Sequence, residues 1–339
     1  MIRTVDGDMA PGDLGPTMMH EHVICDITPP DLAASGAPEV EITLENVWEV
    51  RHHWCRHMGN NRLTDEATAV AELTRLRDAG GSVVVDVTTA GIKPAPAKLR
   101  RIARASGIDI VAGCGCYTEE FVDPAVADQG VETLAGEMIR AIVDGFDDGD
   151  VQAGIIGEIG CSDAWTVLER RVMQAAVVAQ RETGAAITVH PGRRPEAPAE
   201  VVTFVAAEGG DVERTIVGHI DRTVFDDDTL FRLADTGCVI EYDLFGIEQT
   251  YYPFQDIDLP NDGMRLLAIR RLIDRGHLDG IVISQDICTK TRLRHHGGHG
   301  YAHILANVVP MMRRRGFDDA EIDAILVANP RRLLSLPRP

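Results

Sequence analysis

The sequence predicts an α/β chain folded as a (β/α)8 TIM barrel with loop insertions and extra C-terminal helices, and three observations carry that prediction. Short runs rich in Val and Ile alternate with longer segments of helical period, the pattern of βα units that build a parallel sheet. Eight such runs occur, near residues 16–23, 82–88, 108–114, 153–159, 185–190, 214–219, 237–242 and 280–285. Metal-type side chains close several of them: His20 and His22 in TMMHEHV, Glu158 in GIIGEIG, His190 in AAITVHPG, His219 in TIVGHIDRT and Asp286 in GIVISQDI. A closed parallel barrel gathers its C-terminal strand ends into one mouth, so it gives that recurrence a reason that an open sheet does not.

At 339 residues the chain exceeds a bare barrel of about 250 residues, which leaves room for inserted loops within one domain spanning 1–339. Helical periods run over 64–79, 163–183 and 262–275, with Gly80, Gly184, Gly237 and Gly276 as helix stops or strand entries. Two connections are too long for turns. Residues 25–63, with PP, SGAP and HHWCRH, and residues 243–262, with FGIEQTYYPFQDIDLP, are expected to fold over the mouth as substrate loops. His52, His53 and His57 in the first of these read as exposed surface rather than a further metal site. The tail after Ala302 reads as two or three closing helices, the last punctuated by Asn329-Pro330.

Composition removes whole classes of function. The balance of 33 basic against 53 acidic residues gives a formal charge of -20, which repels phosphate backbones and anionic membrane faces. Neither nucleic acid nor membrane is expected as a partner; a small-molecule substrate is. The start, MIRTVDGDMAPGD, lacks a basic region followed by an apolar one, and no stretch approaches the roughly 18 apolar residues of a span, so a cytoplasmic location is expected. The seven cysteines are an odd count, and Cys25, Cys114, Cys161, Cys238 and Cys288 lie in or just beyond apolar runs, which favours reduced core thiols over a disulfide framework. Cys114 and Cys116 form a CxC with no second Cys pair to complete a metal site.

The strand-end residues suit one chemistry. In an extended strand, side chains at i and i+2 share a face about 6.6 Å apart, so His20 and His22 can converge on one ion. Attack on an unactivated ester, lactone, amide or phosphoester needs hydroxide at neutral pH, and a bound divalent metal acidifies water enough to supply it. In the expected arrangement His20, His22 and Asp286 hold a buried ion, His190 and His219 hold an outer one, and Glu158 bridges them. Asp286 would also accept a proton as the tetrahedral intermediate collapses. Each residue has a plainer reading. His190 or His219 alone would more often be a hydrogen-bonded structural histidine, and Asp286 alone a helix N-cap. Glu158 resists the plain reading, because a carboxylate in a central apolar strand is costly to bury without a cation or strong hydrogen bonds. Together the six point to a metal site.

The segments TMMHEHV, AGIIGEIG, TVHPG, IVGHIDRT, ISQDI and the closing NPRRLL, in that order along essentially the whole chain, resemble the phosphotriesterase family of the amidohydrolase superfamily. The resemblance implies a (β/α)8 barrel, a binuclear centre of two divalent metal ions, zinc first and manganese, iron or cobalt as alternatives, with the ligand roles given above, and commonly a homodimer. One position departs: phosphotriesterases and related lactonases bridge their ions with a carbamylated lysine, where this chain has Glu158. Metal binding should therefore not require bicarbonate, and the departure argues against organophosphate hydrolysis as the main activity. IEYDLFG at 240–246, DICTKTRL at 286–293 and GGHGYAHILANVVP at 297–310 are similar to the glutamate-bridged phosphotriesterase-related proteins. That branch implies hydrolysis of an amide such as an N-acyl taurine or N-acyl amino acid, while other glutamate-bridged relatives cleave lactones.

For substrate recognition, Tyr117 is a candidate to aim its hydroxyl at the substrate oxygen, and His299 or Tyr301 to line the mouth after the eighth strand. Arg222, Arg265, Lys290 and Arg292 are candidate anchors for a carboxylate, sulfonate or phosphate, because an acidic protein needs local cations to hold an anion. The sequence thus reads as a metal-dependent hydrolase of a small carbonyl compound, with Glu158 and Asp286 in catalytic roles. The alternatives are a phosphoesterase acting on phosphodiesters or phosphotriesters, and a metal-bound ligand-binding relative without turnover.

Overall fold

Eight strands line up in parallel in chain order: β1 (Thr17–Glu21), β2 (Val83–Asp86), β3 (Asp109–Cys114), β4 (Ile155–Gly160), β5 (Ile187–His190), β6 (Thr215–Val217), β7 (Val239–Tyr242) and β8 (Ile281–Ile283). The structure is a computed structural model that describes residues 1–146, 151–248 and 252–337. Closure comes from polar bonds between the first strand and the segment after the last. The Asp286 backbone N–H donates to His20 O at 3.0 Å, and the His20 N–H donates to Ser284 Oγ at 2.9 Å. Ser284 Oγ and the Gln285 amide then donate to Glu21 Oε1, at 2.8 and 2.9 Å. The chain is a (β/α)8 barrel, as the eight apolar runs predict.

The strands read as continuous apolar runs because both faces are covered. Val83, Val84 and Val85, and Ile281, Val282 and Ile283, are fully buried, one face turned to the barrel interior and the other to the helical jacket. The jacket contains α1 (Glu66–Asp78), α2 (Pro96–Ser106), α3 (Val131–Val143), α4 (Val167–Thr183), α5 (Ala197–Ala207), α6 (Asp227–Ala234) and α7 (Asp262–Asp274). Helix α4 begins four residues later than its periodicity suggests. Thr166 is the N-cap, its side chain accepting from Glu169 N at 3.1 Å while Glu169 Oε2 accepts from Thr166 N at 3.0 Å. Glu169 also accepts from the Ser162 amide and hydroxyl, at 3.1 and 2.7 Å, which ties the loop after β4 to the helix start. Gly184, at φ 73°, ends the helix in the left-handed conformation with its N–H on Gln180 O at 2.7 Å.

The tail forms two closing helices, 304–314 and 319–334. The N-terminal hairpin, Ile2–Thr4 with Gly7–Met9, was not anticipated from the sequence, because three-residue strands carry no readable period. Its Val5 amide donates to Ile110 O of β3 at 2.8 Å.

The two long connections meet over the barrel mouth. The base of the first is clasped by an antiparallel pair, Cys25–Asp26 with Arg62–Leu63, and Pro30–Ala34 and Val47–His52 are helical within it. His52 and His53 are exposed. The second contributes Leu244, Ile247, Tyr252 and Leu259 to a small apolar cluster against Trp54 of the first, and the rings of Trp54 and Phe254 meet at 5.5 Å. Residues 249–251 of that expected loop lie outside the described residues. All seven cysteines are buried and unpaired, and burial pushes the Cys114 and Cys116 thiols up to about 12 and about 11, which keeps them protonated. Among the described residues no helix is long and apolar enough to cross a membrane.

Candidate metal centre

Where the strands end, the backbone turns in ways that aim side chains into one spot. His20 lies within β1 with His22 just past its end, Glu158 is in β4, and His190 is the last residue of β5. His219 and Asp286 lie two and three residues beyond their strands, both in left-handed backbone, at φ 55° and 47°. Side chains other than glycine seldom adopt that conformation, which costs of order 1–3 kcal/mol and is held where surrounding structure enforces it. Here the enforcement is visible: Asp243 Oδ2 accepts from His219 N at 2.7 Å, and His20 O accepts from Asp286 N at 3.0 Å.

The six side chains converge around one carboxylate. Glu158 Oε1 lies 2.7 Å from His190 Nδ1, 2.9 Å from His219 Nε2 and 3.4 Å from His20 Nε2, while Oε2 lies 3.7 Å from His22 Nε2. Asp286 Oδ1 is 3.4 Å from His22 Nε2. Glu158 therefore stands between His20 and His22 on one side and His190 and His219 on the other, only 2 % exposed.

Groups that hold the far side of three of the rings were not foreseen. His20 Nδ1 meets Glu241 Oε2 at 2.9 Å, His219 Nδ1 meets Asp243 Oδ1 at 2.9 Å, and His22 Nδ1 meets Thr88 Oγ1 at 2.9 Å. Such partners fix the ring orientation and present the other nitrogen, here Nε2, inward as a ligand. A signal did exist, since Glu241 and Asp243 stand at i and i+2 in the otherwise apolar IEYDLFG and so point to the same face. Thr88 carried no signal.

These residues fit divalent cations on the chemistry of the donor set. Among the described residues His20 Nε2 is buried with no hydrogen-bond partner, and His190 Nδ1 and His219 Nε2 face each other at 2.8 Å while both touch the same Glu158 oxygen. Protons satisfy that convergence poorly, because two ring nitrogens and a carboxylate oxygen need three separate donors and acceptors in one small space; an ion accepts all three. The charges agree. Burial lowers the pKa of His20, yet Glu241, Glu158 and Asp243 outweigh it and hold the ring well above the usual histidine range. Burial likewise opposes the charge on His219, but Asp243 brings it up to about 9. His190 goes the other way, pushed down to about 3, chiefly by burial. Asp286 is ionised: burial alone would raise it, but the contact with His22 and the charge of Arg292 hold it well below the usual carboxylate range.

The centre forms one wall of a cavity of about 740 Å3, which His22, Glu158, His190, His219 and Asp286 all line. Among the substrate candidates, Tyr117, Arg222 and Arg292 also line it. Tyr117 Oη is 3.2 Å from His190 Nδ1, Arg222 Nη2 donates to His190 Nε2 at 3.1 Å, and Arg292 stands 3.7 Å from Asp286 Oδ2.

The other four candidates lie elsewhere, which corrects their expected roles. Arg265 is fully buried outside the cavity, with Nε on Asp221 Oδ2 at 2.7 Å, Nη1 on Asp262 Oδ1 at 3.0 Å and Nη2 on Ile247 O at 3.0 Å, so its donors are consumed by structure. Lys290 turns toward Glu39 at 3.8 Å. His299 packs against Gly246 and His303. Tyr301 is buried, and its hydroxyl donates to His22 O at 2.8 Å, steadying the loop that carries a ring of the cluster.

The profile of the phosphotriesterase family matches residues 1–334. The chain belongs to the phosphotriesterase family. Within that family it is 38% identical over 344 residues to a phosphotriesterase-related protein of Nematostella vectensis, covering 99% of this chain and 98% of that one. It is 39% identical over 340 residues to the N-acetyltaurine hydrolase of Salmo salar, covering 98% and 97%. Among solved structures of the family's fold, a resiniferatoxin-binding protein from Rhodobacter sphaeroides superposes with a TM-score of 0.92 at 33% identity, over 98% of this chain and 94% of that one.

Proposed function

We propose that this protein is a metal-dependent hydrolase of small N-acyl compounds, cleaving the carboxamide bond. The observation that carries the reading is the single buried carboxylate of Glu158 shared between His20 and His22 on one side and His190 and His219 on the other. The resemblance to N-acetyltaurine hydrolases over almost the entire chain favours an amide over a lactone or a phosphoester. Divalent ions bound there supply Lewis acidity and bring the pKa of water toward neutrality. Two ions, zinc in preference to manganese, iron or cobalt, suit the two histidine groups and the shared carboxylate.

The chain's own residues do the rest. The loops bearing Trp54 and Phe254 close over the mouth and limit water around the reacting carbonyl. Tyr117, its hydroxyl beside His190, is placed to donate to a substrate oxygen. Asp286, ionised at the cavity wall, takes the proton released as the tetrahedral adduct collapses and delivers it to the departing amine nitrogen. A homodimer belongs to the same reading on family resemblance, and a cytoplasmic location on the character of the sequence.

A panel of N-acetyltaurine, N-acetyl amino acids, lactones and a phosphotriester, offered to protein reconstituted with zinc or manganese, tests the proposal. An amide turned over with the highest kcat/KM supports it; a lactone or phosphotriester preferred over every amide overturns it.

A further inference from the structure

Among the described residues four arginines line the cavity, and they divide into two kinds. Arg56 is paired with Asp31 at 2.8 Å and Arg292 with Asp286 at 3.7 Å. Arg193 and Arg222 have no carboxylate within ion-pair distance among the described residues. Among the described residues the Arg222 guanidinium, 3% exposed, donates only to neutral groups: His190 Nε2 at 3.1 Å, Pro191 O at 3.1 Å and Thr223 Oγ1 at 3.4 Å. Arg193 donates through Nε to Tyr252 Oη at 3.2 Å, and its guanidinium stacks 4.5 Å from the centre of the Phe254 ring. Asp163, whose carboxylate lies against the Arg193 backbone, is engaged instead by the backbone N–H groups of Arg193 and Arg194.

Leaving a buried guanidinium without an anion is costly, and the remedy is ready to hand in a chain of charge -20. Arg222, buried, and Arg193, partly buried, line the cavity without an acid among the described residues, unlike Arg56 and Arg292 beside them. Arg193 and Arg222 both lie close enough to Tyr117, whose hydroxyl is beside His190, to oppose the rise that burial gives its pKa, while Trp54, Phe121 and Leu244 give the cavity apolar lining.

We propose that Arg193 and Arg222 form an anion clamp that selects N-acyl amines carrying a sulfonate or carboxylate a few bonds from the scissile carbonyl. This deepens the proposed function and rests on it for the bond cleaved. A guanidinium presents paired N–H donors in a plane, which matches both anions, and each of these two arrives with unspent donors. Tyr252 and Phe254 hold the Arg193 head, so the clamp is positioned before substrate enters.

Three amides of matched length separate the possibilities: N-acetyltaurine, N-acetyl-β-alanine and the neutral N-acetylethanolamine. Zinc-loaded wild type should cleave at least one anionic amide with kcat/KM about tenfold or more above the neutral one, and which anion is favoured tells sulfonate from carboxylate. Arg193→Met should remove most of that preference through KM, and Arg222→Lys should lower it in part. Binding of N-acetyltaurine to metal-free protein, followed by tryptophan fluorescence, should weaken about tenfold or more in Arg193→Met. Equal loss for all three amides in Arg193→Met, or a wild type indifferent to charge, overturns the clamp. If no amide is cleaved but N-acetyltaurine binds wild type and not Arg193→Met, the clamp stands and the hydrolase reading falls.

Discussion

Asp243 shows how one side chain governs the centre without facing the cavity: one oxygen accepts from the His219 backbone at 2.7 Å and the other holds His219 Nδ1 at 2.9 Å. Replacing it with Ala should lower metal affinity about 10- to 100-fold, read by titration with a chromogenic chelator, because the ring loses its fixed orientation. Tyr301→Phe tests the opposite kind of residue. It strips the His22 carbonyl of its buried donor and should cost about 1–3 kcal/mol in denaturant unfolding, with KM little changed, since the hydroxyl does not reach the cavity. A KM raised tenfold would restore Tyr301 as a substrate group. The convergence of His20, His22, Glu158, His190, His219 and Asp286 was legible because each is an ionisable residue closing an apolar run. Arg193 and Thr88 were not, because nothing local distinguishes them from a solvated arginine or an ordinary strand-end threonine. Arg265 misled for the converse reason: whether an arginine faces solvent, substrate or a buried acid such as Asp221 is decided by partners far away in the chain.

Elements in this barrel are bounded by side-chain bonds more than by periodicity. Helix α4 starts where Thr166 caps it, and Thr166→Ala should cost about 1 kcal/mol, measured as a shift in the denaturant midpoint. The inner strands tolerate even less. A Cβ at Gly113 of β3 would stand 2.1 Å from Gly157 O of β4, so Gly113→Ala should prevent correct assembly next to Glu158 and yield little soluble protein. Strand order and helix existence could be read from apolar runs and helical period. Strand ends could not, because β6 and β8 stop where the backbone turns left-handed to aim His219 and Asp286, and hydropathy does not record such a turn. The N-terminal hairpin escaped for want of length.

At the scale of the whole molecule, acid should act through buried histidine. Burial pushes His299 down to about 3, whereas an unfolded chain titrates it near 6.5. Between those values the unfolded state binds a proton that the folded state does not, so stability is full above about pH 6.5 and falls as pH drops, by up to about 1.4 kcal/mol per pH unit from this group. Metal-free protein should therefore melt lower at pH 5 than at pH 7, and His299→Asn should flatten that dependence; an unchanged slope would contradict the assignment. Closure of the barrel was expected from the recurrence of strand-end ligands, and the structure supplies its physical form in the bonds from Ser284 and Gln285 to Glu21. The central claim is that Glu158 joins two groups of histidines around divalent cations. Crystals of zinc-reconstituted protein, with anomalous scattering recorded at the zinc edge, address it most directly. The account predicts two peaks roughly 3.5–4 Å apart with Glu158 between them, both weakened in Glu158→Gln. A single peak untouched by that substitution, or no zinc at all in the cluster, would contradict it.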